Sequence, residues 1–170
     1  MKRFAALYAA LDASAATLDK VAALRQYFQA ADPADAAWAV YFLAGGKPRQ
    51  TVPTALLRAT ACREAGLPDW LFEESYQAVG DLAETIAHVL PAADKPCDLG
   101  LAQWLEQRLL PLRGQPSDAQ ANALAAWWRE LDTAGRFLLT KLIGGGFRVG
   151  VSKLLVQRAL AEAFGIDAKV

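Results

Sequence analysis

The chain has 170 residues, carries 18 Lys+Arg against 18 Asp+Glu, and is 54% hydrophobic, with 36 alanines and 25 leucines. That length suits one domain or two small halves, and the composition excludes a disordered chain. With only 9 valines, 3 isoleucines and 7 threonines, packed helices are expected and a β-sandwich is not.

Breakers and caps divide the chain into predicted helices. Phe4, Leu7, Tyr8 and Leu11 recur at helical spacing, as do Leu18, Val21, Leu24 and Phe28 after a possible cap at Thr17. Asp32-Pro33 reads as a capping carboxylate followed by a first-turn proline. The helix it opens bears Trp38, Tyr41 and Phe42 and stops at Gly45-Gly46. Another runs from about Pro53 to Ala65 and closes at Gly66. Asp69 caps a stretch with Trp70, Phe72, Tyr76 and Val79, interrupted at Gly80, and Asp81 caps the next, with Glu84 at capping-box spacing. Pro91 to Gly100 has two prolines and no periodicity, so it is the predicted connection between halves, 1–90 and 101–165. Beyond it lie helices around Leu101–Leu110, Ser117–Leu131, Asp132–Ile143 and Ser152–Phe164, the last closed by Gly165. The expected fold class is all-α, about ten helices. The five tryptophans (Trp38, Trp70, Trp104, Trp127, Trp128) fall on helical stripes and are assigned to packing.

Catalytic and metal chemistry finds little support. His88 is the single histidine, and Cys62 and Cys97 stand apart with no Cys-x-x-Cys pairing, a pattern of buried thiols in a reduced, cytoplasmic protein. No Ser/His/Asp or Cys/His set is evident. The opening Met1-Lys2-Arg3-Phe4 lacks the apolar run of a signal peptide. Ala36 to Gly46, the longest nearly uncharged apolar stretch, falls short of the roughly 20 residues that span a bilayer.

Shifted by 99 places, Leu43, Gly45, Gly46, Arg49, Val52, Leu56 and Gly66 match Leu142, Gly144, Gly145, Arg148, Val151, Leu155 and Gly165, seven identities in 29 positions. Charge follows the same plan. Ala36–Arg63 has four basic residues (Lys47, Arg49, Arg58, Arg63) and no acid, and Thr133–Ala161 has five (Arg136, Lys141, Arg148, Lys153, Arg158) and no acid. Glu64–Glu106 between them holds nine acids against Lys95 alone. The zero total, which by itself argues against a nucleic-acid partner, conceals two basic segments around an acidic one.

The loops inside the basic segments suit phosphate. Glycine lets a backbone approach a ligand closely, the first amides of the following helix are unpaired, and Arg or Lys supplies full charge. Gly45, Gly46, Lys47 and Arg49 form one such set; Gly144, Gly145, Gly146, Phe147, Arg148 and Gly150 form the other, flanked by Lys141, Ser152 and Lys153. Neither has the spacing of a nucleotide P-loop. Two such sites suit a ligand with repeated phosphates, such as double-stranded DNA. The alternatives are helix C-caps with exposed basic residues, and, for Phe147, a ring folded into the core in preference to a minor-groove wedge.

Gly45-Gly46-Lys47-Pro48-Arg49, Trp70-Leu71-Phe72-Glu73-Glu74-Ser75-Tyr76, Val79-Gly80-Asp81-Leu82-Ala83-Glu84-Thr85-Ile86 and Gly146-Phe147-Arg148-Val149-Gly150-Val151-Ser152 together resemble the N-terminal DNA-binding domain of ATP-dependent DNA ligases, the bacterial members most of all. The resemblance covers nearly the whole chain. It implies an all-helical domain of two pseudo-symmetric halves that lies across the minor groove at a nick, binds double-stranded or nicked DNA irrespective of sequence, and works as a monomer with the ligase's own catalytic domains in a bacterial cytoplasm, at the nucleoid. It also implies that Phe147, Arg148 and Gly150 lie in the second DNA-facing loop, while Val-Gly-Asp-Leu is a structural junction. The adenylated lysine of these ligases sits in Lys-x-Asp-Gly, whereas lysines here precede Arg3, Val21, Pro48, Pro96, Leu142, Leu154 and Val170. The expected module is therefore non-catalytic, holding no cofactor; ATP and Mg²⁺ belong to the catalytic domains. A helical protein-interaction scaffold is the competing reading.

Overall fold

The computed structural model describes residues 1–144 and 146–166, and all regular structure among them is helical, as composition predicts. The helices are α1 (Lys2–Ala13), α2 (Thr17–Ala30), α3 (Pro33–Leu43), α4 (Thr54–Ala65), α5 (Asp69–Val79), α6 (Leu82–Val89), α7 (Leu101–Gln103), α8 (Ser117–Glu130), α9 (Thr133–Gly144) and α10 (Lys153–Phe164). After α7 the chain continues as a π-helical stretch (Trp104–Leu109) and a 3-10 turn (Leu110–Leu112). No described helix is long and apolar enough to cross a membrane.

The chain divides into two compact units whose pieces alternate in sequence. One takes Met1–Lys47, Leu99–Trp104 and the stretch from Gly146 onward; the other takes Pro48–Asp98 and the stretch from Leu105 to the second glycine run. This partition differs from consecutive halves 1–90 and 101–165. The chain leaves one unit for the other within each glycine-rich loop.

In the first unit α2 packs along α1 and α10, and α3 packs on α7 and α10. Of the predicted stripe, Val21, Leu24 and Phe28 are buried with Phe4, Leu11, Phe42 and Leu101, as i, i+3, i+7 spacing requires, whereas Leu18, in the first turn of α2, is 71% exposed. Asp32 makes no side-chain cap to α3. Asp35, one turn later, instead accepts from the Leu101 and Ala102 amides at 3.1 and 2.8 Å and so caps α7. Gly100 lies so close to that carboxylate that a Cβ would fall 2.8 Å from Oδ2.

In the second unit α6 packs on α9, α4 on α8, and α5 on α6. The last carbonyls of α8 are satisfied from the non-helical 91–98 segment: Asp94 and Lys95 donate their amides to the Arg129 carbonyl at 3.1 and 3.0 Å, and Cys97 to that of Glu130 at 3.2 Å. Arg136, 3% exposed, adds Nε to the Trp128 carbonyl at 2.7 Å and Nη1 to the Leu90 carbonyl at 3.3 Å. One guanidinium thus closes the C-terminal ends of α8 and α6. Trp104 and Trp128 are buried and Trp38 stacks on Phe42, but Trp70 is 67% exposed, which corrects its assignment to packing. The predicted Asp69 cap is not formed: Pro68 is the N-cap of α5 and Asp69 its first helical residue, with no side-chain capping bond. Among the side chains of α5, only Phe72 is fully enclosed, and Trp70, about 200° around the helix from it, faces solvent.

Val79-Gly80-Asp81-Leu82 is a helix junction. Gly80, at φ +78°, ends α5 by donating its amide to Tyr76 at 2.8 Å. Asp81 Oδ1 accepts from the Ala83 and Glu84 amides at 2.9 and 3.1 Å, and Oδ2 receives the Lys141 ammonium. Burial pushes the Asp81 carboxyl up, but Lys141 and the two amides together outweigh it and hold the group below its ordinary value. A depressed folded-state value means this stabilisation is full above the carboxylate range and fades as pH falls through it. Asp81→Ala is expected to lower stability by about 1–2 kcal/mol at pH 7. In urea titrations that deficit shrinks below about pH 4 as the wild-type carboxylate protonates; a deficit unchanged at pH 2 would exclude the charge as its source.

The internal echo extends into three dimensions. A helix of 14 residues, α2 or α8, leads into one of 11 or 12 residues, α3 or α9. A glycine loop follows, then a 12-residue helix, α4 or α10, ended by left-handed Gly66 (φ +64°) or Gly165 (φ +65°). Each 12-residue helix packs against the 14-residue helix of the other copy, α10 on α2 and α4 on α8.

Candidate nucleic-acid interface

The first loop begins as a helix stop. Gly45, at φ +95°, donates its amide to Phe42 at 3.0 Å, and Gly46 donates to Tyr41 at 2.8 Å, the paired bonds of a Schellman C-cap. A Cβ on Gly46 would stand 2.5 Å from the Tyr41 carbonyl oxygen, so capping alone accounts for both glycines. Lys47 and Arg49 follow, both exposed. The loop ends where Thr51 and Val52 turn inward, 4% and 0% exposed. Gln120 of α8, itself buried, donates to the Thr51 carbonyl at 3.0 Å and to that of Leu112 at 3.1 Å.

The second loop alternates between outward and inward residues. Gly144 ends α9, Gly146 is exposed, and Gly145 lies outside the described residues. Phe147 is half-buried; its ring meets those of Phe42, Tyr8 and Phe4 at centroid distances of 5.1, 5.7 and 5.9 Å. The core placement therefore describes the ring, and a wedge would have to break this cluster. Arg148 is exposed, Val149 is buried and Gly150 is left-handed at φ +61°. Ser152 is the N-cap of α10, its Oγ accepting from the Leu155 amide at 3.2 Å, and Lys153 is the first helical residue, exposed.

Sequence reasoning passed over the side chain that holds this loop down. Lys20 of α2, 9% exposed, donates Nζ to the carbonyls of Val149 and Gly150 at 2.8 and 3.1 Å. A Cβ on Gly150 would sit 2.8 Å from that Nζ. Lys20 and Gln120 do equivalent work: each is the fourth residue of its 14-residue helix, each precedes a buried leucine by four (Leu24, Leu124), and Thr51 and Gly150 are partners in the 99-residue echo. A polar residue in an apolar stripe was the available signal.

Ion pairing removes much of the basic excess. Arg58 pairs with Glu73, Arg63 with Glu64, Lys141 with Asp81 and Arg158 with Glu162, while Arg136 is buried on carbonyls. Lys141 is thereby occupied within its own unit and also lies over the Phe137 ring at 5.2 Å. Lys47, Arg49, Arg148 and Lys153 are exposed and make no ion pair among the described residues. Among the described residues no group of three or more His, Cys, Asp or Glu could hold a metal ion.

The family model described as DNA ligase N terminus matches residues 1–161. No curated protein sequence matches the chain.

Proposed function

The chain belongs to the DNA ligase N-terminal domain family, and we propose that within an ATP-dependent ligase it holds double-stranded DNA, irrespective of sequence, while other domains do the chemistry. The observation that carries this reading is the location of the unpaired cations. Of the basic residues in the two basic segments, those left exposed and without an ion pair among the described residues, Lys47, Arg49, Arg148 and Lys153, flank the two glycine loops. Phosphate contacts of this kind fix position without reading bases. Clasping the duplex at its minor groove beside a nick would bring the 3′-hydroxyl and 5′-phosphate ends together for the ligase's catalytic domains, which bind ATP and Mg²⁺. The module works as a monomer beside the chromosome.

Arg49→Ala combined with Arg148→Ala is expected to weaken duplex binding about 10- to 100-fold, equally for unrelated sequences, and to flatten the salt dependence by roughly two contacts. Fluorescence anisotropy on two duplexes of different composition measures both. Unchanged affinity in the double variant would defeat the reading.

One observation favours a protein contact elsewhere. Trp70 is exposed on α5 beside Asp69 and Glu74, where acids repel phosphate, so this face suits a cationic protein surface better than DNA.

A further inference from the structure

We infer that the Lys20 ammonium is part of the phosphate-binding device of the second loop, orienting it and lending it charge from beneath. The inference rests on the DNA-binding reading above. Lys20 is buried, reaches no carboxylate among the described residues, and spends its Nζ on two carbonyls of one loop, at 2.8 and 3.1 Å. Because each peptide unit is planar with C=O and N–H opposed, carbonyls of Val149 and Gly150 drawn toward α2 turn the following amides, those of Gly150 and Val151, away from it. Arg148, one residue earlier, is exposed. Lys20 therefore sets the face on which a phosphodiester oxygen would meet Arg148.

The second copy of the repeat shows that tethering alone needs no charge. Gln120, at the equivalent place, ties down its loop with a neutral amide, donating to Thr51 and Leu112 at 3.0 and 3.1 Å. Burying an ammonium is more costly than burying an amide, so a positive charge at Lys20 is superfluous for a tether. It is useful under a loop that receives an anion, where a cation of low exposure is weakly screened by salt.

The test separates tether from charge. Lys20→Gln reproduces the Gln120 arrangement without the charge, and Lys20→Met removes both. In anisotropy titrations with a nicked duplex, Lys20→Gln is expected to keep the wild-type melting temperature within a few degrees yet bind about 5- to 10-fold more weakly, with the slope of log K against log salt nearly unchanged, because a buried cation that touches no phosphate releases no counterion. Lys20→Met should bind more weakly still. Gln120→Lys, which adds a charge under the first loop, is expected to tighten binding with little change in slope. Wild-type affinity in Lys20→Gln, or no gain in Gln120→Lys, would overturn the inference while leaving DNA binding intact. Insensitivity of the wild-type background to Arg148→Ala would sink the DNA-binding reading as well.

Discussion

Arg136→Met is expected to lower the unfolding free energy by about 2–4 kcal/mol in urea titration at pH 7. The substitution keeps most of the buried hydrocarbon but strips the donors from the Trp128 and Leu90 carbonyls, now held at 2.7 and 3.3 Å. Each buried carbonyl left unpaired costs about 1–3 kcal/mol. No carboxylate forms an ion pair with Arg136 among the described residues; burial lowers the guanidinium's proton affinity, and Asp132 partly restores it. The charge is accommodated because the C-terminal ends of α8 and α6 present partial negative charge to it. Arg136→Lys supplies a single point of donation in place of a fork and should recover only part of the loss. A variant within about 0.5 kcal/mol of wild type would show that water or neighbouring amides already satisfy those carbonyls.

Phe147→Ala separates the two roles open to that ring. With Phe42, Tyr8 and Phe4 at 5.1, 5.7 and 5.9 Å, truncation leaves an apolar gap in the first unit. Loss of about 2–3 kcal/mol is expected, below the full range for an enclosed phenylalanine because this one is half-buried. DNA binding should weaken only in proportion to loosening of the loop. If stability were unchanged and duplex bending lost, the ring would be a wedge after all.

Helical segments were legible because period and punctuation agree. The Leu24 and Leu124 stripes, the glycines at 66, 80 and 165, and the Asp81 cap all act through neighbours within a turn or two. The alternating partition into units was not legible, since nothing local marks a chain that changes unit inside a glycine loop. Nor could local pattern reveal partners far along the chain: Lys20 reaches a carbonyl 129 residues away, Gln120 one 69 away, and Lys141 a carboxylate 60 away. The last of these matters most for function. Lys141 belongs to a basic segment, yet folding commits it to Asp81, whereas Arg148 and Lys153 from the same segment remain exposed. Linear charge overstated how many cations of the basic segments are available.

The most direct test of the account is the salt dependence of wild-type binding to nicked and intact duplexes of unrelated sequence. The four exposed cations of the two glycine loops, Lys47, Arg49, Arg148 and Lys153, predict that log K falls linearly with log salt with a slope of about −3 to −4, the same for each sequence. Binding no stronger than that of a neutral helical control at low salt, or an affinity indifferent to salt, would contradict it.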